Sequence, residues 1–295
     1  MPNTALRPTR PWLIAMLVLF ITLLPACTMV KVAYNQADLL LYWRLDSYAD
    51  FTGEQAPRVR ESLAQFHQWH RRTQLPVYAD LLQGIRPKLA ESLSGEEACA
   101  VVDQLRKALD ATLDPAHWTL LWLAGEISAE QLRHIERKQA IGDAAWKKEW
   151  VSVSPEKLLE ARFDQALARS EMLFGNLDEP QKTALRVALQ TTSFEPLRNY
   201  AERLRREQDL RQVLRKIREE KLGDESARTL LKGYMDRVLV SPDPAYRRYV
   251  QTLIRESCAS FARLHEATTP AQRAKAMQTL TGYERDFRQL AQQPQ

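Results

Sequence analysis

Two histidines three residues apart are the residues whose type and spacing best suit metal binding. His67 and His70, in the segment HQWH, would lie on neighbouring points of one helix face and supply half of a zinc site. A third ligand would have to come from elsewhere, and we find no second cluster of His, Cys or Glu. Two histidines at this spacing more often lie at a surface or at the edge of a core. We therefore predict no metal site and no cofactor.

Motifs of nucleophilic catalysis are absent from this sequence. It contains no G-x-S-x-G elbow and no H-E-x-x-H, and its 9 glycines form no phosphate-binding loop. Cys99 follows two glutamates and has no basic neighbour that would lower the pKa of its thiol. Adjacent carboxylates such as Glu96 and Glu97 occur on every exposed helix. We therefore predict that the protein is not an enzyme.

The first 26 residues have the layout of a secretory signal. Arg7 and Arg10 form a positively charged segment without acids, and residues 12–24 form a continuous apolar run. That run alone is too short to cross about 30 Å of hydrocarbon. We predict that residues 1–26 are a removable signal. The alternative is an uncleaved anchor helix that extends to about residue 30.

The segment Leu24-Pro25-Ala26-Cys27 resembles the lipobox of bacterial lipoproteins. The leucine stands three residues before the cysteine, and a small residue stands directly before it. The resemblance implies that Cys27 is acylated, with palmitate among its chains, and becomes the first residue of a periplasmic domain, 27–295. Thr28 is not the aspartate that retains such lipoproteins in the inner membrane. The resemblance therefore implies a lipid anchor on the periplasmic face of the outer membrane.

Export would leave Cys99 and Cys258 in an oxidising compartment, where disulfides form. Cys258 lies on an apolar stripe with Val250, Ile254 and Phe261, so both cysteines would face a common interior. Two interpretations stay open. The cysteines form a disulfide, or they are two unpaired buried thiols that act as small hydrophobic side chains.

Helix start signals recur along the rest of the chain. A Ser, Thr or Asp followed three residues later by Gln or Glu forms a capping box, because each side chain bonds a backbone N–H of the first turn. Such pairs stand at Thr52/Gln55, Ser94/Glu97, Ser128/Gln131, Asp178/Gln181 and Thr269/Gln272. Ser154-Pro155 marks a further start. We predict an all-α protein, a single domain of about ten mostly antiparallel helices, with a softer seam near residues 150–155.

Two predicted helices have unusual surfaces. The segment 35–48 is rich in Leu and aromatic residues, which suits either a membrane surface or docking into the core. We favour docking, because its polar side lacks the lysines of a membrane-surface helix. The segment 198–221 is rich in arginine. Glu202 precedes Arg206 by four residues, and Glu207 precedes Arg211 likewise, which favours a solvated helix with internal ion pairs.

The balanced charge of the chain, +5 in total, gives no reason to expect nucleic acid as a partner. With the anchor, this leaves the membrane and an envelope protein as the expected partners.

Beyond single motifs, the chain resembles an uncharacterised family of Gram-negative lipoproteins, domain of unknown function 6279. The resemblance rests on the lipobox, the following run MVKVAYNQADLLLYWRLDSYADFTGEQ and the closing TPAQRAKAMQTLTGYERDFRQLA. It implies a location in the cell envelope and a fold over essentially the whole mature chain, but no activity.

Our leading hypothesis is a non-catalytic lipid-anchored protein that binds another envelope component. One alternative is a periplasmic holdase-type chaperone, because the capping boxes also resemble the LTxxQ motifs of small helical stress proteins. The second alternative is an envelope hydrolase.

Overall fold

Capping residues and apolar stripes fold the chain into helices throughout. A computed structural model describes residues 26–119 and 121–293, with all side chains except those of residues 26–29, 114 and 116–118. Residues 1–25 of the predicted signal and the side chain of Cys27 lie outside this part. The described residues form twelve α-helices and no strand: α1 Ala26–Asn35, α2 Ala37–Ala49, α3 Gln55–Ile85, α4 Gly95–Thr119, α5 Leu121–Glu126, α6 Ala129–Trp146, α7 Pro155–Phe174, α8 Glu179–Gln190, α9 Pro196–Glu219, α10 Asp224–Leu239, α11 Pro244–Glu266 and α12 Pro270–Gln292.

The predicted fold class is confirmed. The structure has twelve helices in its described part where we predicted about ten, and two of the twelve are short. Helix α1 has 10 residues and α5 has 6. Neither begins with a capping box, so neither gave a start signal in the sequence. A π-helical turn, Lys147–Val151, extends α6 and overlaps the start of the predicted seam. No helix in the described ranges is long and apolar enough to cross a bilayer.

All five predicted capping boxes form. At α6, for example, Gln131 N donates to Ser128 Oγ at 3.0 Å, and Ser128 N donates to Gln131 Oε1 at 2.9 Å. Reciprocal bonds of the same kind join the boxes at α3, α4, α8 and α12. Ser154 also accepts from Lys157 N, as its place before a proline predicts. Local sequence therefore determines where these helices begin.

Four of the boxes pack against each other in pairs. Gln131 Nε2 donates to Gln55 Oε1 at 2.7 Å, which joins the starts of α6 and α3. Gln181 and Gln272 exchange amide bonds of 2.8 and 2.9 Å, which join the starts of α8 and α12. A glutamine in the box can make such a bond because its amide both donates and accepts. The box at α4 has a glutamate, Glu97, and has no partner box among the described residues.

The long helices α3 and α12 run antiparallel along the molecule. Arg71 of α3 donates to Gln293, directly after α12, and Arg86, directly after α3, pairs with Glu284 of α12. Residue numbers therefore rise along one helix as they fall along the other. Helices α4 and α11 pack beside them, and α5, α6, α9 and α10 form a second group around buried Leu132, Leu214 and Ile217. The core is thus divided among several helix groups.

Helix α1 docks on α3 and α12 through polar contacts. Lys31 Nζ donates to Gln289 Oε1 at 2.8 Å and lies 3.6 Å from the fully buried carboxylate of Asp286. Asn35 Oδ1 accepts from Arg71 at 2.7 Å. These bonds hold the start of the described chain against the body of the protein.

Helix α2 docks into the core, as we favoured, but with one face only. Tyr42 is 3% exposed and packs with Val59 and Leu63 in a core cluster. Leu40 and Trp43, however, are 59% and 55% exposed. One face of α2 therefore enters the core, and the other presents Leu and Trp side chains to the outside.

Candidate functional site

One large concave feature of the described residues is an apolar cavity of about 850 Å³. The cavity is lined by the end of α3 and by helices α4, α7, α8 and α11. Leu280 of α12 also lines it. Most lining side chains are aliphatic or aromatic, among them Leu82, Val102, Leu105, Leu173, Leu253 and Phe261. This volume falls within the range of small-molecule sites, which are mainly apolar with a few polar groups.

Small side chains on facing helices leave this space open. Ala166 and Ser170 on α7, Ala188 on α8, and Ser257 and Ser260 on α11 all line the cavity. Larger residues at these positions would fill the volume with side-chain atoms. The cavity is therefore a consequence of residue size at helix positions whose periodicity is that of an ordinary core.

Arg162 is a partly buried charged side chain of the cavity lining. Its guanidinium donates to the Leu189 carbonyl at 3.1 Å and to Thr192 Oγ1 at 2.7 Å. The charge also lies 4.5 Å from the centre of the Phe194 ring, within reach of a cation–π interaction. It makes no ion pair with any described residue. Burial lowers the pKa of Arg162, against the raising effects of Tyr249 and the Glu256 carboxylate.

The other charged side chains of the lining are Lys88, Arg169 and Glu256. Neither Lys88 nor Arg169 forms an ion pair within the described part of the chain. Both oxygens of Glu256 accept bonds from Ser193, one from its backbone N at 2.8 Å and one from its hydroxyl at 2.5 Å. The lining therefore carries three cations and one carboxylate that is already bonded.

Two tryptophans complete one side of the cavity. Trp146 and Trp150 both line it, and Trp146 stacks on Tyr200 with ring centres 5.7 Å apart. The π-helical turn that begins after Trp146 places the two indoles 6.3 Å apart. Such turns are rare and are frequent at functional sites. The sequence predicted only a seam near residues 150–155, and no local signal placed the two tryptophans at a cavity.

A disulfide between Cys99 and Cys258 fastens two of the cavity walls. The two Cα atoms are 5.3 Å apart, and the bridge links α4 to α11. Cys258 itself lines the cavity, and its neighbour Ala259 lies so close to Gly95 that a Cβ there would touch its Cα at 3.4 Å. Of the two interpretations left open by the sequence, the structure contains the bridge.

The two candidate metal-ligating histidines lie elsewhere, under α1. His70 Nδ1 and the Tyr34 hydroxyl are 2.8 Å apart, and the Tyr34 and His67 ring centres are 4.7 Å apart. Burial, and next the neighbouring His67, lower the pKa of His70 to about 4. Burial raises the pKa of Tyr34 to about 12. The described residues contain no group of three metal-ligating side chains, and this pair serves to dock α1.

A pair of carboxyl groups shares one arginine where α6 meets α9. Arg203 Nε donates to Asp143 Oδ1 at 2.6 Å, and Arg203 Nη2 lies 2.9 Å from Glu207 Oε1. Burial, and next the nearby Asp143 carboxylate, raise the pKa of Glu207 to about 7. None of the three side chains lines the cavity. The group holds the two helices together.

The arginine-rich helix α9 forms one of its two predicted ion pairs. Arg206 Nε donates to Glu202 at 2.9 Å, four residues apart as predicted. Glu207 pairs with Arg203 rather than with Arg211. Glu202 is buried and also accepts from Ser241 at 3.1 Å, so α9 is solvated on one face only.

A family model matches residues 47–238 of the chain, which is more than half of its length. Its description is Family of unknown function (DUF6279). The chain belongs to this family. No curated protein and no solved structure matches the chain.

The matched part of DUF6279 covers α3 to α10 and so includes the cavity walls of α4, α7 and α8. Helices α11 and α12, which complete the cavity, follow it. The matched part also begins after most of the run, and ends before the closing segment, that carried the resemblance in the sequence. The family is therefore shown for 47–238, and its extension over the rest of the mature chain stays a prediction.

Proposed function

We propose that this protein is a non-catalytic, lipid-anchored protein of the bacterial envelope that binds an apolar envelope molecule in its cavity. The cavity carries the proposal. It is large, mainly apolar and lined by small residues on three helices, which suits an alkyl chain or a ring system. From the sequence we expected a protein partner, whereas a concave apolar cavity suits a smaller ligand.

The composition of the lining supports binding without chemistry. A hydrolase needs a nucleophile, a base within hydrogen-bond reach and a group that stabilises an oxyanion. The described lining contains Ser170, Ser257 and Ser260 but no histidine, and its one carboxylate, Glu256, is bonded to Ser193. The serines therefore have no base beside them.

The anchor is supported by the lipobox at Cys27 and by the outer face of α2. Leu40 and Trp43 are exposed directly after α1, the helix on which Cys27 stands. Leu and Trp side chains are stable where a bilayer meets water. An acylated Cys27 would bring this face to the membrane surface, on the periplasmic side of the outer membrane.

The cavity is tested by photo-crosslinking of the full chain in its membrane. A neutral long-chain alcohol with a diazirine in its alkyl chain is added and irradiated, and labelled peptides are mapped by mass spectrometry. We expect labels on α7, α8 and α11. Ala188→Trp, which fills the cavity, should remove them. Ala184→Trp, at an exposed position one turn earlier on the same helix, should not. Labels spread over the whole surface, unchanged by Ala188→Trp, would contradict the proposal.

A further inference from the structure

We propose that the cavity ligand is an anionic amphiphile, whose alkyl chain fills the cavity and whose acidic head group binds the guanidinium of Arg162. This inference rests on the proposed function and adds the chemical class of the ligand. Carboxylate and phosphate monoester head groups share the chemistry in question. Both carry negative charge on several oxygens and accept parallel bonds from a guanidinium.

The bonding of Arg162 is incomplete for a partly buried cation. A buried charge is ordinarily paired with an opposite charge. Leu189 and Thr192 take two of the five N–H donors, and both partners are neutral. The remaining donors have no carboxylate within ion-pair distance among the described residues, and Glu256, the carboxylate of the lining, acts on Arg162 only from a longer distance.

Arg186 packs on an aromatic ring as Arg162 does, but its guanidinium is paired with a carboxylate. Its guanidinium lies 4.1 Å from the centre of the Phe163 ring, much as Arg162 lies over Phe194. Arg186 also binds the carboxylate of Glu160 from α7, and it does not line the cavity. The two arginines therefore differ in two respects, the missing carboxylate and the access to the cavity.

The charges around the cavity favour an anion over a cation or a neutral head group. Lys88, Arg162 and Arg169 line it without ion pairs among the described residues, and Glu256 is held by two bonds from Ser193. Arg162 and Arg169 stand seven residues apart on α7, about two turns, which places them on the same side of the helix. An anion at Arg162 therefore meets a positive field from more than one residue.

The test compares three photoreactive ligands with the same alkyl chain on the full chain in vesicles. They carry a carboxylate, a phosphate monoester or a neutral hydroxyl as head group. One charge-assisted bond to a guanidinium corresponds to about a tenfold preference in binding. We expect at least one of the anionic ligands to label the cavity about tenfold more efficiently than the alcohol. Whichever of the two labels more strongly identifies the head group.

Arg162→Gln should remove this preference and leave labelling by the alcohol unchanged. Arg186→Gln is the matched control and should keep the preference. Equal labelling by all three ligands in the wild-type protein would overturn the head-group proposal, while the cavity proposal would stand. No cavity labelling by any ligand would overturn both. Labelling by the alcohol that falls in Arg162→Gln would show that Arg162 supports the cavity structure rather than the head group.

Discussion

Single glutamines hold pairs of helix starts together in this protein. Gln131 caps its own helix through Oε1 and bonds Gln55 and the Asp50 carbonyl through Nε2. These motifs resemble those of helical stress proteins, but Gln55, Gln131 and Gln181 are each at least 95% buried. Their role in this fold is to join helices, and the choice of glutamine over glutamate is what permits it.

Gln131→Glu is expected to destabilise the protein by about 1–3 kcal/mol. The glutamate keeps the capping acceptor but loses the donor, and it sets a carboxylate against two oxygen acceptors. Urea unfolding followed by circular dichroism measures the change. Glu97→Gln is the control, because its box has no partner box in the described chain, and it should change the free energy of unfolding by less than about 0.5 kcal/mol. Equal losses in both variants would contradict the role of the pairing.

Glu207 gives the stability of the protein a defined pH dependence. Its pKa is about 7 in the fold against a usual value of 4.5, so the folded state holds a proton that the unfolded chain releases. The stability from this site is complete below pH 4.5 and is lost as the pH rises through 7. We expect Glu207→Gln, which cannot ionise, to gain in Tm relative to the wild type between about pH 5 and about pH 8.

Melting curves at the two pH values measure this gain. Glu219→Gln, at an exposed position of the same helix, controls for the loss of one surface charge. A Tm difference for Glu207→Gln that stays constant with pH would show that the carboxyl group does not titrate in this range.

At the scale of helices, the disulfide between Cys99 and Cys258 is a covalent link between α4 and α11. It links residues 159 positions apart, which by chain entropy corresponds to a stabilisation of at most about 5 kcal/mol. We expect both thiols of the protein to resist alkylation until a reductant is added. Reduction should then lower Tm and weaken photolabelling of the cavity, since Cys258 lines it. Alkylation of both cysteines without reductant would show that the bridge is absent in the cell.

The helices and the cavity differ in how far the sequence predicts them. The capping boxes predict five helix starts correctly because a cap is a local bond within four residues. The cavity depends instead on how Ala166, Ala188 and Ser257 face each other across helices far apart in sequence, and small residues on an apolar stripe are equally typical of a filled core. Arg162 gave no signal for the same reason, because its missing partner is a property of the packed structure.

For the whole molecule, the anchor is the feature to test first. Cys27→Ser should leave a larger, unprocessed precursor and abolish metabolic labelling with palmitate, because we propose its thiol as the site of acylation. Gel mobility and labelling measure both effects. Thr28→Ser, one residue later, should mature and label as the wild type does. A Cys27→Ser protein that matures and still labels would contradict the lipoprotein assignment.

The docking of α1 has a consequence for how such a protein searches its surroundings. A lipoprotein whose domain is joined to its lipid by a flexible linker explores a volume that grows with the length of the linker. Here α1 begins at Ala26, and Lys31 and Asn35 are already bonded to the body of the protein. The cavity begins near Leu82, roughly 17 Å along α3 from Arg71, which contacts Asn35. With Cys27 acylated, the cavity would travel across the membrane at nearly constant height, so its search for a ligand is two-dimensional.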